Sequence, residues 1–354
     1  MSDTRLPARR RISLRDYYSR QEVMPELGHE GQEKLRHASV AIIGLGGLGA
    51  FTAGYLTMAG VGKIRLVDQD TVETHNLQRQ ILYSLDDIRR PKVEAAAKKL
   101  KALNPQVHIE PIAENVREAN ADTIVSHCDC VVDGLDNMAT RYIVNRACVR
   151  NSVPYVFAGA IGMEGNVSVF RPPTTPCLEC VMPDLDDRYL PTCETRGVLG
   201  TTAGGIAALE ATETIKLLTG IQPLLDGKLL ICDLRDMDFR IIEIRTRPDC
   251  KVCQLREAPP KAEQERLTWL CGKNTVNVNP ARPFRINLSL VPRRLGKGTK
   301  IHLRTPMAVV FEFERYEVSL FNHGRMLIKG IESEQKALEV YGRLLSKVGA
   351  KSSR

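Results

Sequence analysis

Four charged side chains set after apolar runs could do chemistry in this chain. Asp68 closes the run Lys63 to Val67, Asp136 follows Cys128-Asp129-Cys130-Val131-Val132-Asp133-Gly134-Leu135, and Arg79 and Lys92 lie between them. Carboxylates and cations in this alternation suit a ribose, phosphates and a hard metal ion. The other reactive types are cysteines. Cys177-Leu178-Glu179-Cys180 and Cys250-Lys251-Val252-Cys253 make two CxxC pairs, and Cys193 stands apart in Pro191-Thr192-Cys193-Glu194-Thr195-Arg196.

The elements that must position these groups are legible around them. Ser39-Val40-Ala41-Ile42-Ile43 has the character of a buried strand, Gly44-Leu45-Gly46-Gly47-Leu48-Gly49 follows, and a helix is expected from about Leu48 to Ala59. Gly44, Gly46, Gly47 and Gly49 permit a tight turn and close approach of phosphate, and the helix N-terminus offers free N–H groups. Asp68 then falls where a Rossmann unit places the carboxylate that binds a ribose hydroxyl. A dinucleotide needs no further cations at this turn. A triphosphate does, and Arg79 and Lys92 supply them, with Pro91-Lys92 suited to open a helix. No GxxxxGK[ST] sequence is present, which argues against a Walker-type loop. Asp136 ends another apolar strand before a helical stretch from Thr140 to Arg150, so it can bind magnesium beside phosphates or cap that helix. Asp133 reads as structural.

The two CxxC pairs can form a four-thiolate tetrahedral set for structural zinc on Cys177, Cys180, Cys250 and Cys253, stapling two loops far apart in sequence. A redox CxxC or a pair of disulfides is the alternative. The lack of a signal peptide and the cysteine pattern suit a reducing cytoplasm. Cys128, Cys130, Cys148 and Cys232 sit in apolar contexts and are expected to be buried, while Cys271 has no assigned role. Cys193, in a polar connection before a helix starting near Thr201, is expected to be exposed. Arg196 and the helix N-terminus would favour its thiolate, Glu179 and Asp184 to Asp187 would oppose it, and a passive loop cysteine is the plainer reading.

Taken in order, Tyr18-Ser19-Arg20-Gln21, the glycine turn, Asp68-Gln69-Asp70, Asn76-Leu77-Gln78-Arg79-Gln80, Pro91-Lys92, Asp136-Asn137, Met163-Glu164-Gly165 and the CxxC pairs are recognisable. The chain resembles the ubiquitin-activating-enzyme superfamily in its compact ThiF, MoeB and HesA form, across about residues 17 to 255. The resemblance implies an enzyme that binds MgATP and adenylates the C-terminal glycine of a ubiquitin-like β-grasp protein. It further implies that Asp68 binds the ribose, that Asn76, Arg79 and Lys92 bind phosphates within a motif that includes Gln80, and that Asp136 holds magnesium. Arg20 would reach into the partner protomer's ATP site, implying a homodimer, and Cys193 would accept the glycine as a thioester for a downstream carrier enzyme. A sulfur-carrier adenylyltransferase serving molybdopterin, thiamine or tRNA thiolation is the alternative, with a persulfide-derived bond at Cys193. A NAD-dependent dehydrogenase would share the glycine turn and Asp68 but leave Arg79, Lys92 and Asp136 without work, and a non-catalytic scaffold should have lost a phosphate ligand.

The expected architecture is α/β: a Rossmann-like, mostly parallel sheet with flanking helices and a zinc-stapled half, followed by a small α+β domain. The expected boundaries are an N-terminal arm at 1–28, an adenylation domain at 29–258 and a basic domain at 262–354, with Ala258-Pro259-Pro260-Lys261 as linker. The net charge of +8 is concentrated: residues 262–354 carry 17 Lys and Arg against 8 Asp and Glu, leaving 33 against 34 in the rest. Nine basic residues and no acid lie between Arg266 and Phe311, including Arg282, Arg285, Arg293, Arg294, Lys297, Lys300 and Arg304. A solvated surface is the plain reading; a docking face would favour a protein partner, the modifier or a downstream carrier enzyme, and nucleic acid is not expected because aromatics are sparse there, with a tRNA contact as the alternative. Within the tail, strands are expected at Phe284 to Leu290, Val309 to Phe313, Glu317 to Phe321 and Met326 to Lys329, the last two joined by a hairpin turn at Asn322-His323-Gly324. A helix from Glu332 to Lys347 should bury Ala337, Val340, Tyr341, Leu344 and Leu345. No rhodanese-type active loop is present, and no apolar run approaches the ~20 residues that span a membrane.

Overall fold

The protein is described by a computed structural model covering residues 14–257, 267–270, 274–280, 284–296 and 298–349. The expected linker, Cys271, Arg266, Arg282 and Lys297 lie outside the described residues. In chain order the larger elements are α1 (Leu14–Glu22), α2 (Gly28–His37), β1 (Ser39–Ile43), α3 (Gly47–Ala59), β2 (Lys63–Val67), α4 (Lys92–Leu103), β3 (His108–Ile112), α5 (Glu118–Val125), β4 (Cys130–Asp133) and α6 (Met138–Asn151). They continue with β5 (Tyr155–Ile161), β6 (Glu164–Phe170), α7 (Leu178–Val181), α8 (Gly200–Thr219), β7 (Lys228–Asp233) and β8 (Asp238–Glu243). The last group is β9 (Leu267–Trp269), β10 (Thr275–Val278), α9 (Val291–Leu295), β11 (Ile301–Arg304), β12 (Ala308–Phe313), β13 (Tyr316–Phe321), β14 (Met326–Lys329) and α10 (Glu334–Lys347).

The first eight strands form one sheet in the order β3-β2-β1-β4-β5-β6-β7-β8. β3 to β5 run parallel, and β6, β7 and β8 add on antiparallel. Alternation along β1 shows why the sheet is buried twice. Val40 and Ile42 join a core with Leu56 of α3, Leu100 of α4 and Ile206 of α8, while Ala41 and Ile43 join another with Ile124 of α5 and Val144 of α6. Because β1 pairs with β2 on one side and β4 on the other, the chain reverses direction across the sheet there. Such a switch point opens a crevice at the strands' carboxyl ends, where α/β folds bind ligands.

Residues 14–22, placed by expectation in an arm, form a packed helix. Tyr18 is buried, accepts a 2.7 Å hydrogen bond from Asn104 Nδ2 and occupies the space beside Gly60, whose φ of +90° ends α3. Gln21 donates to Gln32 Oε1 and the Ala59 carbonyl, so two residues of the Tyr18-to-Gln21 motif are structural and Arg20 is left on the outside.

The second sheet is antiparallel throughout, in the order β11-β12-β13-β14-β10-β9. Its alternating residues again serve two faces. Met326 and Ile328 pack with the α10 residues Ala337, Val340, Tyr341, Leu344 and Leu345, all buried as expected. Leu327, Phe321 and Ala308 join the core of the first sheet instead. The hairpin at 322–324 is present, with Gly324 at φ +88°. One expected strand is absent. Residues 284–287 are irregular and run into a 3-10 turn at Leu288–Leu290, because Asn287 Oδ1 accepts from the Ser289 N–H and hydroxyl and closes a local turn. The alternation of Ile286 and Leu288 does bury those side chains, which is why the pattern resembles a strand. The basic run is also partly spent internally: Lys300 pairs with Glu312 at 2.8 Å and Arg294 donates to the Val348 carbonyl.

Candidate nucleotide site and cysteine cluster

The glycine turn is an interlock of backbones. Gly44 has φ +90°, and a Cβ on Gly49 would lie 1.9 Å from the Gly44 carbonyl oxygen. A Cβ on Gly134, after β4, would lie 2.1 Å from that same oxygen. Only glycine permits this contact between the ends of β1 and β4. Tyr83, buried, donates to the Leu45 carbonyl at 3.0 Å and braces the turn from below. No side chain caps α3, so its first-turn N–H groups have no side-chain acceptor. Neither Gly134 nor Tyr83 was singled out from sequence: their partners lie far away along the chain.

Asp68 stands at the end of β2 with its carboxylate fixed by the Leu45 N–H and the Asp70 N–H, both at 2.7 Å. Burial raises its pKa, Lys92 opposes that, and Asp70 adds to it. Lys92 opens α4 as expected, but it is buried and its Nζ is 3.0 Å from Asp70 Oδ2. Burial disfavours its charge, yet Asp70, Asp68 and Asp136 together outweigh this and hold the ammonium above its ordinary pKa. It is a fixed, buried cation held by Asp70.

The connection from β2 to α4 is pinched by a bridge between Thr71 and Pro91, with Val72 N–H to the Arg90 carbonyl and Lys92 N–H to the Asp70 carbonyl. Inside the pinch, Asn76 is buried and its Oδ1 accepts from the Glu73 N–H at 3.0 Å. Gln80 is buried near the turn, its Nε2 3.9 Å from where a Gly46 Cβ would sit, and its Oε1 has no hydrogen-bond partner. A buried amide oxygen without a partner invites a ligand. Arg79 is half-buried, donates to the His75 carbonyl at 2.9 Å, and runs alongside Gly47.

At the end of β4, Asp136 is exposed and takes a 3.0 Å hydrogen bond from Asn137 Nδ2. Helix α6 is capped by Asn137 and by Asp187, which accepts from the Met138 and Ala139 N–H groups. The capping alternative for Asp136 therefore falls, and its carboxylate acts electrostatically on Lys92, Arg141 and Cys193. Asp133 is structural: fully buried, it binds Arg141 Nε at 2.9 Å, the Tyr155 hydroxyl at 2.5 Å and the Leu135 N–H.

Cys193 departs from expectation. It is half-buried, and burial raises its pKa. Arg196 is drawn away into an ion pair with Glu164, so the cations acting on the thiol are Arg79 and Arg141, opposed by Asp136. Glu179 is occupied by Arg146 and Asn145. The loop thus holds Cys193 within electrostatic reach of Arg79, Arg141 and Asp136, with burial favouring the thiol form.

On the same half of the molecule the four CxxC cysteines converge. Their Sγ atoms lie within 4.8 Å of one another, with Cys177–Cys180 at 4.0 Å, Cys177–Cys250 at 3.7 Å and Cys180–Cys253 at 3.4 Å. Tetrahedral zinc with bonds of about 2.3 Å separates its sulfurs by roughly 3.8 Å, so the donor set fits that ion. Cys128, Cys130, Cys148 and Cys232 are buried, as expected.

A switch-point crevice with a glycine turn, a carboxylate held at the end of β2 and a buried lysine defines a nucleotide-binding α/β enzyme. Residues 18–252 match the ThiF family, and the chain belongs to that family. It is 41% identical over 239 residues to a SAMP-activating enzyme E1 of Haloferax volcanii, spanning 67% of this chain and 88% of that one. It is 32% identical to a sulfur carrier protein ThiS adenylyltransferase of Bacillus subtilis, spanning 92% of this chain and 97% of that one, so the similarity extends into the second sheet. A crystal structure of Escherichia coli MccB with ATP superposes with a TM-score of 0.57 at 27% identity, covering 63% of this chain and 69% of that one. The chain is an ATP-dependent adenylyltransferase, and the dehydrogenase alternative is set aside.

Proposed function

We propose that the enzyme adenylates the C-terminal glycine of a ubiquitin-like β-grasp carrier protein and passes the activated acyl group to Cys193. The observation that carries this reading is the convergence of the glycine turn, Asp68, Gln80, Arg79, Lys92, Asp136 and Cys193 on one crevice. Asp68 would bind the ribose, Gln80 would engage the nucleotide through its unpartnered oxygen, and Arg79, Lys92 and the Asn76 Nδ2 would hold phosphates. Asp136 would hold Mg2+, which supplies charge neutralisation. The attacking carboxylate and the triphosphate are both anionic. Lys92, kept charged by its acidic neighbours, and Arg79 would offset that repulsion as the carboxylate oxygen attacks the α-phosphorus and pyrophosphate leaves. The Cys193 sulfur would then attack the acyl carbon, losing its proton as AMP departs with the bonding electrons of the acyl–oxygen bond.

Exposed Arg20 on α1 would complete a partner protomer's site in a homodimer, and the four cysteines would hold structural zinc. Among the described residues no helix is long and apolar enough to cross a membrane, and a cytoplasmic setting is proposed from the cysteine pattern. A second reading, a sulfur-carrier adenylyltransferase, is favoured by the relative named for ThiS and by its coverage of nearly this whole chain. Conjugation would instead need a downstream carrier enzyme to take the acyl group.

The deciding experiment incubates the enzyme with MgATP and β-grasp proteins ending in glycine, follows ATP–pyrophosphate exchange, and reads adducts by intact mass. Carrier-dependent exchange with a thiol-labile acyl adduct at Cys193 is expected. Exchange that ignores every carrier would sink the reading, and an adduct chased by a sulfur donor rather than a carrier enzyme would select the second one.

A further inference from the structure

The second sheet lies beyond the matched family segment, which ends at Val252, yet it touches the β2–α4 connection that carries Asp70. Arg325, in the β13–β14 hairpin, is the largest fully buried side chain among the described residues, 1% exposed. Its guanidinium forks: Nη1 donates to Asn277 Oδ1 at 2.9 Å and Nη2 to the Gln69 carbonyl at 2.7 Å, with the group stacked 3.7 Å from the Phe321 ring centre. Gln69 is the residue between Asp68 and Asp70. Holding its carbonyl fixes the Gln69–Asp70 peptide, so it sets the residue that partners Lys92, two positions after Asp68.

Two further ties run to the same segment. Lys329 bridges Glu73 at 3.0 Å and Glu317 at 3.3 Å, and Arg89 meets Glu317 at 2.8 Å. Glu73 immediately precedes the 3-10 turn Thr74–Asn76, and Arg89, at φ +71°, lies at the far side of the pinch. The hairpin therefore grips the 69–89 segment twice near its start, at Gln69 and Glu73, and once at its end, at Arg89. Beyond the carboxyl end of β3 the two sheets leave a cleft of about 860 Å3, lined by Glu114, Arg285, Met307 and His323, so this grip is not part of a continuous polar interface.

Burying a guanidinium is costly unless its charge is matched. Burial does pull the Arg325 pKa below its ordinary value, and Asp70, Glu114 and Asp68 pull it back. Packing alone does not require this residue, because Phe321, Leu327 and Ala308 already bury apolar surface against the first sheet.

We propose that the second sheet is a working part of the adenylation site, with Arg325, Lys329 and Glu317 as positioning residues that hold the 69–89 segment in its ATP-binding form. The proposal rests on the nucleotide reading above. By reciprocity of coupling, ATP bound at the crevice must in turn tighten the hairpin. An ammonium at 325 keeps the charge but cannot span Asn277 and Gln69 together.

The test compares the full-length wild type with Arg325→Lys and Lys329→Met, measuring MgATP affinity by calorimetry, the KM for ATP and for carrier in pyrophosphate exchange, and hydrogen exchange of residues 316–329 with and without ATP. Arg325→Lys should weaken ATP about tenfold, the loss of one charge-assisted hydrogen bond, with the KM for carrier unchanged. Lys329→Met should weaken ATP by roughly threefold, a part-exposed pair contributing less. In the wild type, ATP should slow exchange in the hairpin. ATP affinity equal to wild type in folded variants, or hairpin exchange indifferent to ATP, would overturn the proposal. Should Arg325→Lys fail to fold, Lys329→Met and the exchange measurement still decide it. A wild type that binds no ATP would instead overturn the nucleotide reading and this proposal with it.

Discussion

Lys92 and Cys193 sit at one crevice, and burial pulls each towards its neutral form with different success. Three carboxylates keep Lys92 charged, so it can meet phosphates without first gaining a proton. Cys193 has two cations, Arg79 and Arg141, and one carboxylate, Asp136, acting on it, and burial still wins. Its thiol should therefore ionise above the ordinary 9.0, and the sign of the pH effect follows: the reactive thiolate grows as pH rises. Acyl transfer to Cys193 should still be climbing at pH 9 while pyrophosphate exchange is already level, which parallel pH profiles of the two steps would check; matching profiles would argue against Cys193 as acceptor. Cys193→Ala should spare exchange and abolish the adduct. Asp136→Ala should lower exchange by about 10²- to 10³-fold, as loss of one preorganised charge does, and a near-wild-type rate would remove Asp136 from the metal role. Asp136 was readable because it follows an apolar strand. The thiol state of Cys193 was not, because the Arg196–Glu164 pair and the approach of Arg79 depend on side chains brought in from other elements.

Among elements, the junction of β1, α3 and β4 is where geometry is least forgiving. Gly134→Ala would drive a Cβ into the Gly44 carbonyl and should destabilise the fold by about 3 kcal/mol or more, seen as a lowered melting temperature. Tyr83→Phe removes only the bond to Leu45 and should cost about 1 kcal/mol, with weaker ATP binding as the more sensitive readout. β1, β2, β14 and the hairpin turn were legible because apolar alternation and flanking glycines mark them locally. Helix α6 was found near its true span, but not the reason it is capped twice, since Asp187 comes from a loop beyond the first CxxC. The Phe284-to-Leu290 segment shows the limit of alternation: the apolar face is real, and Asn287 diverts the backbone before a ladder can form. Gly134 and Arg325 had no local signal at all, each being defined by a partner in another part of the chain.

At the scale of the whole molecule, two sheets share one apolar core through Leu327, Phe321 and Ala308, so acid acting on one should reach the other. His323, at the hairpin turn, has its pKa lowered to about 4 by burial and by Arg325 and Arg117. It is neutral when folded and must gain a proton to unfold as pH drops below its ordinary 6.5, so the stability it contributes is present above that pH and declines down to about 4. The full shift corresponds to roughly 3 kcal/mol. His323→Asn should flatten the fall in melting temperature between pH 6.5 and 4, and an unchanged acid profile would show that His323 does not titrate there.

The cysteine cluster has a mechanical corollary. With a metal held by all four thiolates, the loop from Cys180 to Cys250, which carries Cys193 and α8, becomes a closed ring hung from a single knot. A molecule pulled by its two ends would extend past that ring without drawing it out. Stripping the metal should release about 70 more residues, roughly 240 Å of chain, as one discrete added length.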